Sequence, residues 1–131
     1  MNTTSRGFTI IELTFAIVLI TTASIIFFVQ KNNLEIASRD ETRKISINAM
    51  YYSIEEVYFK ANGYYPRTVD SATLPSVDPS LFKDPFGVQI GESNSEYRYE
   101  PYNCTENKCK NYALRSVLEN EDDYVKENRS N

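Results

Sequence analysis

The sequence predicts an α+β chain: one long N-terminal α-helix, half transmembrane and half amphipathic, packed on a small antiparallel β-sheet. Three observations predict it. Residues 8–29 form a 22-residue apolar run that carries one charge, Glu12. Ile47, Met50, Ile54, Val57 and Ala61 then recur at steps of three and four, the period of a helix with one buried face. Two later segments, residues 96–100 and 112–118, read as strands by alternation or by a shared apolar face.

The totals narrow the function classes. At 131 residues the chain suits a single domain. Its 18 Asp and Glu outnumber its 14 Lys and Arg, for a net charge of −4, and no long basic block occurs. Nucleic acid is therefore not an expected partner, since binding it takes clustered cations. Histidine is absent, which removes the commonest general base and metal ligand. With no Gly-rich phosphate loop, no Cys–His pair and no conspicuous carboxylate pair, the sequence shows no catalytic constellation. It predicts neither an enzyme nor a bound cofactor or metal.

As a helix the apolar run reaches about 33 Å, enough to cross a hydrocarbon core of about 30 Å. A cleaved secretory signal has a shorter apolar region, about 7–15 residues, ending in small side chains. Thr22-Ala23-Ser24 is small, but Ile25-Ile26-Phe27-Phe28-Val29 follows directly. The segment is thus expected to stay and anchor the chain. Orientation is contested by two signals. Arg6 precedes the span while Lys31, Arg39, Arg43 and Lys44 follow it, which on a basic-residue count leaves the C-terminal side in the cytoplasm. The two cysteines favour an oxidising exterior instead. Glu12 also has two readings. A carboxylate deep in a bilayer costs about 2.5–3.5 kcal/mol, and less near the interface. Glu12 either reaches headgroup water one turn from the end, or meets a cation inside an apolar assembly.

The stretch Arg6-Gly7-Phe8-Thr9-Ile10-Ile11-Glu12 resembles the processing motif of type IV prepilins and of type II secretion pseudopilins. The resemblance implies a leader over residues 1–7, removed by a prepilin peptidase between Gly7 and Phe8. Phe8 would become the N-methylated first residue. Residues 8–29 would be the transmembrane and assembly helix, and residues 30–131 an exported head of the pilin fold. Glu12 falls where the family has its glutamate. There it would pair with the Phe8 amine of a neighbouring subunit in the filament, in one axial register only. The resemblance also places the N-terminus inside, against the basic-residue count. Many pilins carry a proline near the end of the apolar helix and a glycine within it. This segment has neither, so a straighter, more continuous helix is expected.

Further along, Arg39-Asp40-Glu41-Thr42-Arg43-Lys44 puts five charges in six positions and reads as a solvated helical stretch. Glu35–Arg39 and Asp40–Lys44 would be attractive i,i+4 pairs. The helix is expected to run from Phe8 to about Ala61, where Asn62-Gly63 stops it. Ile47-Asn48-Ala49 and Asn62-Gly63-Tyr64-Tyr65-Pro66 also resemble small pilins and the major pseudopilin. Pro75, Pro79 and Pro85 forbid a long regular element over residues 69–84, leaving a loop packed on the helix. Asp84-Pro85-Phe86-Gly87 is a turn, since proline presets φ and glycine permits a positive one. It resembles the turn that leads into the sheet of those pilins. Residues 88–90 are a short strand candidate. Cys104 and Cys109 lie between the two later strands and are expected to staple the tip of an antiparallel hairpin as a disulfide; free thiols and a metal pair are the alternatives. A staple over so short a loop contributes about 2 kcal/mol in the chain-entropy model.

The acidic run Glu119-Asn120-Glu121-Asp122-Asp123 raises calcium, which the major pseudopilins bind in a C-terminal loop. It has the oxygens but no glycine to shape a loop, and reads as a solvated, frayed tail. Residues 126–131 are expected to be disordered. Most of the ten tyrosines read as structural, with Tyr64 and Tyr65 as candidate surface contacts. Altogether the resemblance implies a type IV pilus subunit. It would be held in the cytoplasmic membrane and polymerised with copies of itself into an extracellular filament. Its partners would be membrane lipid, the prepilin peptidase and the pilus assembly machinery. A type II secretion pseudopilin and a single-span anchored binding domain are the rivals.

Overall fold

A computed structural model describes residues 7–129. Residues 1–6 of the expected leader 1–7, including Arg6 of the motif that resembles a prepilin processing site, and residues 130–131 lie outside it. The chain divides into two compact units, Met1–Glu35 and Ile36–Asn131. The architecture is α+β: a long N-terminal helix packed on a three-stranded antiparallel sheet. Helix α1 spans Ile10–Tyr52, a π-helical segment follows over Ser53–Phe59, and a last α-turn covers Lys60–Asn62. The stop is as expected. Gly63 adopts φ +74°, the left-handed conformation that glycine takes without steric cost, and its N–H returns to the Phe59 carbonyl at 2.7 Å.

The π-helical segment alters the buried face. Its i→i+5 bonding places more residues in each turn, so the positions after it are rotated relative to an uninterrupted α-helix. Ile47, Met50 and Ile54 are fully buried as the stripe predicts, but Val57 is half exposed and Ala61 is exposed. Tyr58 and Phe59 pack against the core instead. The same rotation buries Glu55.

Strands β1 (Tyr97–Thr105), β2 (Lys108–Ser116) and β3 (Tyr124–Glu127) lie in the order β1-β2-β3. β1 and β2 form the expected hairpin, longer than the alternating segments alone suggest, closed by Glu106 and Asn107. Tyr112, Leu114 and Leu118 are all buried, as their shared face predicts. Between helix and sheet lie Val69, Leu74, Val77, Phe82 and Ile90, supplied by the proline-rich connection. That connection holds only a 3₁₀ turn, Pro79–Phe82. The Asp84 turn forms: the Gly87 N–H reaches the Asp84 carbonyl at 2.8 Å, and Gly87 has φ +84°.

Four local expectations are corrected. Residues 88–90 make a single bridge, Lys83 with Gln89, because the turn at Asp84 leaves no room for a ladder. Residues 124–127 are a strand, although residues from 126 on were expected to be disordered. β3 pairs with β2 from Ala113↔Glu127 to Ser116↔Tyr124. Tyr65 is buried, its ring stacked 4.6 Å from Phe59 and edge-on to Tyr112 at 4.8 Å. The charged stretch 39–44 is not wholly solvated, since Asp40 and Arg43 are buried.

Candidate functional site

The first candidate site is the N-terminal end of α1, where Gly7, Phe8, Thr9 and Glu12 line one recess. Thr9 is the N-cap. Its Oγ1 accepts the Glu12 N–H at 3.2 Å, and Glu12 Oε2 accepts the Thr9 N–H at 3.2 Å and its hydroxyl at 3.3 Å. This is a capping box, in which the N-cap and N3 side chains satisfy each other's backbone donors. The negative charge also lies in the first turn, at the positive end of the helix dipole. Glu12 Oε1 accepts nothing among the described residues. The carboxylate is thus held in place with one oxygen open. Thr9-Ile10-Ile11-Glu12 is a capping-box sequence before an apolar run, a signal that reading Glu12 as a lone membrane carboxylate passes over.

Beyond the box the helix surface is bare and apolar. Phe8 is 86% exposed, and Ile10, Ile11, Leu13, Phe15, Ile20, Phe27 and Phe28 are all more than half exposed. The polar side chains among them turn inward on the helix itself. Thr14, Thr21, Thr22 and Ser24 each donate a hydroxyl to a carbonyl three or four residues back, at 2.7–3.0 Å. Such closure suits a segment whose surroundings offer no hydrogen bonds. The helix is long and apolar enough to cross a membrane.

In the second unit one group of charges is buried and paired. The Arg43 side chain is fully enclosed. Its Nη1 donates to Asp40 Oδ1 at 2.7 Å and to Glu119 Oε1 at 2.9 Å, and its Nε to Glu96 Oε2 at 2.7 Å. Asp40 in turn accepts the backbone N–H groups of Glu119 and Asn120. Arg39 grips both Glu119 oxygens at 2.7 Å, and this pairing first, with Arg43 second, pulls the Glu119 carboxyl down to about 2. Lys44 donates to Glu121. The expected partners are therefore replaced: Asp40 turns to Arg43, and Lys44 to the acidic run.

That run is consequently not a frayed tail. Residues 119–129 form a strap beside the helix, with contacts at successive turns. Glu119 meets Arg39 and Arg43, Glu121 meets Lys44, and the Tyr124 hydroxyl donates to Asn48. The Lys126 ammonium lies 5.5 Å from the centre of the Tyr51 ring, and Arg129 pairs with Glu56. Near its end the strap meets the buried Glu55. Glu55 Oε1 accepts from the Tyr112 hydroxyl at 2.8 Å and the Arg129 N–H at 3.3 Å, and Oε2 from the Tyr65 hydroxyl at 3.2 Å. Burial and then the Glu55 charge push the Tyr65 phenol up to about 12, and burial pushes Tyr112 and Tyr99 up as well.

Cys104 and Cys109 form a disulfide between directly opposed residues of the hairpin, so the free-thiol and metal-pair alternatives fall away. Cys109 gives both its backbone bonds to Tyr65, at 2.9 and 3.0 Å. The staple therefore also fixes the chain just past the helix stop. Among the described residues no cluster of three or more acidic or cysteine side chains is arranged to hold a metal ion. Comparison with protein-family models, with curated proteins and with solved structures finds no match to this chain.

Proposed function

We propose that this chain is a structural subunit of a type IV pilus, polymerised through its N-terminal helix into an extracellular filament. The observation that carries the reading is the end of α1. A capped carboxylate with one open oxygen sits four residues after Phe8, at the head of an unbroken, exposed apolar helix. Cleavage between Gly7 and Phe8 by a prepilin peptidase would create an amine one residue before the capping box. That amine, N-methylated on Phe8, would meet the open Glu12 oxygen of a neighbouring subunit. The pairing offsets the cost of enclosing either charge among apolar helices, and it works at one axial offset. Before assembly the same apolar surface would hold the subunit in the cytoplasmic membrane, N-terminus inside. The small disulfide-stapled head would lie outside, where the bond persists. The assembly machinery would supply the energy of extrusion.

The test is the intact mass of the chain in material sheared from the cell surface. The expected mass lacks residues 1–7 and gains one methyl group. A full-length chain found only in membranes would end the filament reading and leave an anchored binding head. Glu12→Ala, expressed without the parent chain, is expected to be processed normally yet to form few or misregistered filaments. Normal filaments from it would sink the pairing.

A further inference from the structure

The second unit carries opposite charges at its two ends. At the helix stop, Gly63 and Tyr64 face the hairpin across a recess of about 410 Å³ that Lys108 and Lys110 also line. Arg67 reaches the hairpin tip there, donating to the Glu106 carbonyl at 2.8 Å. Arg67, Lys108 and Lys110 are exposed, and none forms an ion pair among the described residues. Glu106, at the tip, is the carboxylate beside them, so cations prevail. At the opposite end the strap begins. Asp122 and Asp123 follow Glu121, which is tied to Lys44, and Glu41 is exposed on the same stretch of helix. Asp122 and Asp123 also lack an ion pair among the described residues. Two clusters of opposite sign, neither ion-paired among the described residues, thus stand about 30 Å apart along the helix.

We infer that these ends are the two halves of one interface between copies of this chain, the basic hairpin end of one copy docking on the acidic base of another. The occupant follows from charge complementarity. Each cluster offers the counter-ions the other lacks, and such pairing mainly fixes partner and register. The inference rests on the filament reading and adds a second contact to it. Copies joined this way are displaced along the axis by about one head length, about 30 Å. The Glu12–Phe8 pairing needs a displacement of only a few residues, about 6 Å. The two contacts therefore join a subunit to different neighbours, one through the helices and one through the heads.

Charge reversal in the full chain tests it. Lys108→Glu with Lys110→Glu, and separately Asp122→Lys with Asp123→Lys, are each expected to lower the yield of sheared filaments about tenfold, through like-charge repulsion at the joint. Combining all four substitutions is expected to restore the yield. Filaments indifferent to the single reversals, or a combined variant no better than either, would overturn the interface. The same four chains in detergent micelles provide a readout that needs no filament, namely salt-sensitive self-association by sedimentation. Association at low salt that is lost in each reversal and regained in the combination keeps the interface even if the parent chain yields no filaments. No association in micelles together with filaments indifferent to reversal removes the interface alone. Absence of both filaments and association removes it along with the filament reading.

Discussion

The stretch from Ile10 to Leu34 and the stretch from Asp40 to Glu56 belong to a single helical run and treat polar groups in opposite ways. In the first, hydroxyls bond to the helix's own carbonyls and Glu12 bonds within its own cap. In the second, Asp40, Arg43, Lys44, Asn48 and Glu55 all bond to residues some 50–80 positions away. The first stretch is complete without tertiary partners and leaves its apolar surface free. The second is defined by its partners. Along one helical run, the apolar stretch closes its polarity locally, while the stretch that packs on the sheet spends it on distant chain.

The largest test of that contrast is Arg43→Ala, which leaves Asp40, Glu96 and Glu119 without their shared enclosed cation. The head should lose about 3–5 kcal/mol in denaturant unfolding of the full chain in detergent. A loss below about 1 kcal/mol would show that the cluster is looser than its geometry. Next, replacing Cys104 and Cys109 together with Ala should cost about 2 kcal/mol in the same assay, with the Tyr65 bridge loosening first in hydrogen exchange. Unchanged exchange at Tyr65 and Cys109 would uncouple the staple from the helix stop.

The pH response distinguishes the two ends of the strap. Glu119 is held near 2, so its contribution is present above the ordinary value of 4.5 and is lost only as pH falls toward 2. Tyr65 is raised, so its contribution is whole below pH 10 and is lost as pH rises toward 12. Head stability should therefore decline in alkali as the phenols around Glu55 ionise, followed by tyrosinate absorbance. Stability flat between pH 10 and 12 would mean that the phenols do not share a buried carboxylate. The smallest effect belongs to the first stretch. Ile20→Ala, at a 66% exposed position, should change head unfolding by less than about 0.5 kcal/mol. A larger loss would end the separation drawn above.

Much of this molecule can be read from sequence, and what cannot has a physical reason. The apolar run, the helix stop at Gly63, the Asp84 turn and the stapled hairpin all depend on local chemistry, and all are present. Ile47, Met50 and Ile54 are legible because periodicity is local too. Val57 is misplaced because the π-helical segment rotates everything after Tyr52, and no residue type signals that rotation. Asp40 and Arg43 look solvated because their partners, Glu96 and Glu119, are more than 50 positions away. The strap was hidden by composition, since acidic residues near a chain end suggest solvent. Here Glu119 is matched to Arg39 and Arg43, and Glu121 to Lys44, along the helix. At the candidate site, Phe8 and Glu12 are singled out by the resemblance to the prepilin motif, but Thr9 emerges only once the cap is seen as a reciprocal pair.

The strap also has a consequence for timing. Ribosomes make the helix before residues 119–129, so Arg43 exists long before Glu96 and Glu119, and Glu55 long before Tyr112. Until then the guanidinium needs water, and the carboxylate has lost neither its hydration nor its freedom. Closure of the head waits for the strap, and contacts of such long sequence separation form slowly. A chain without the strap would keep the helix, β1 and β2 yet leave Arg43 without Glu119 and Asp40 without the backbone donors it accepts from. Such a head would open more readily, and proteases would find it open.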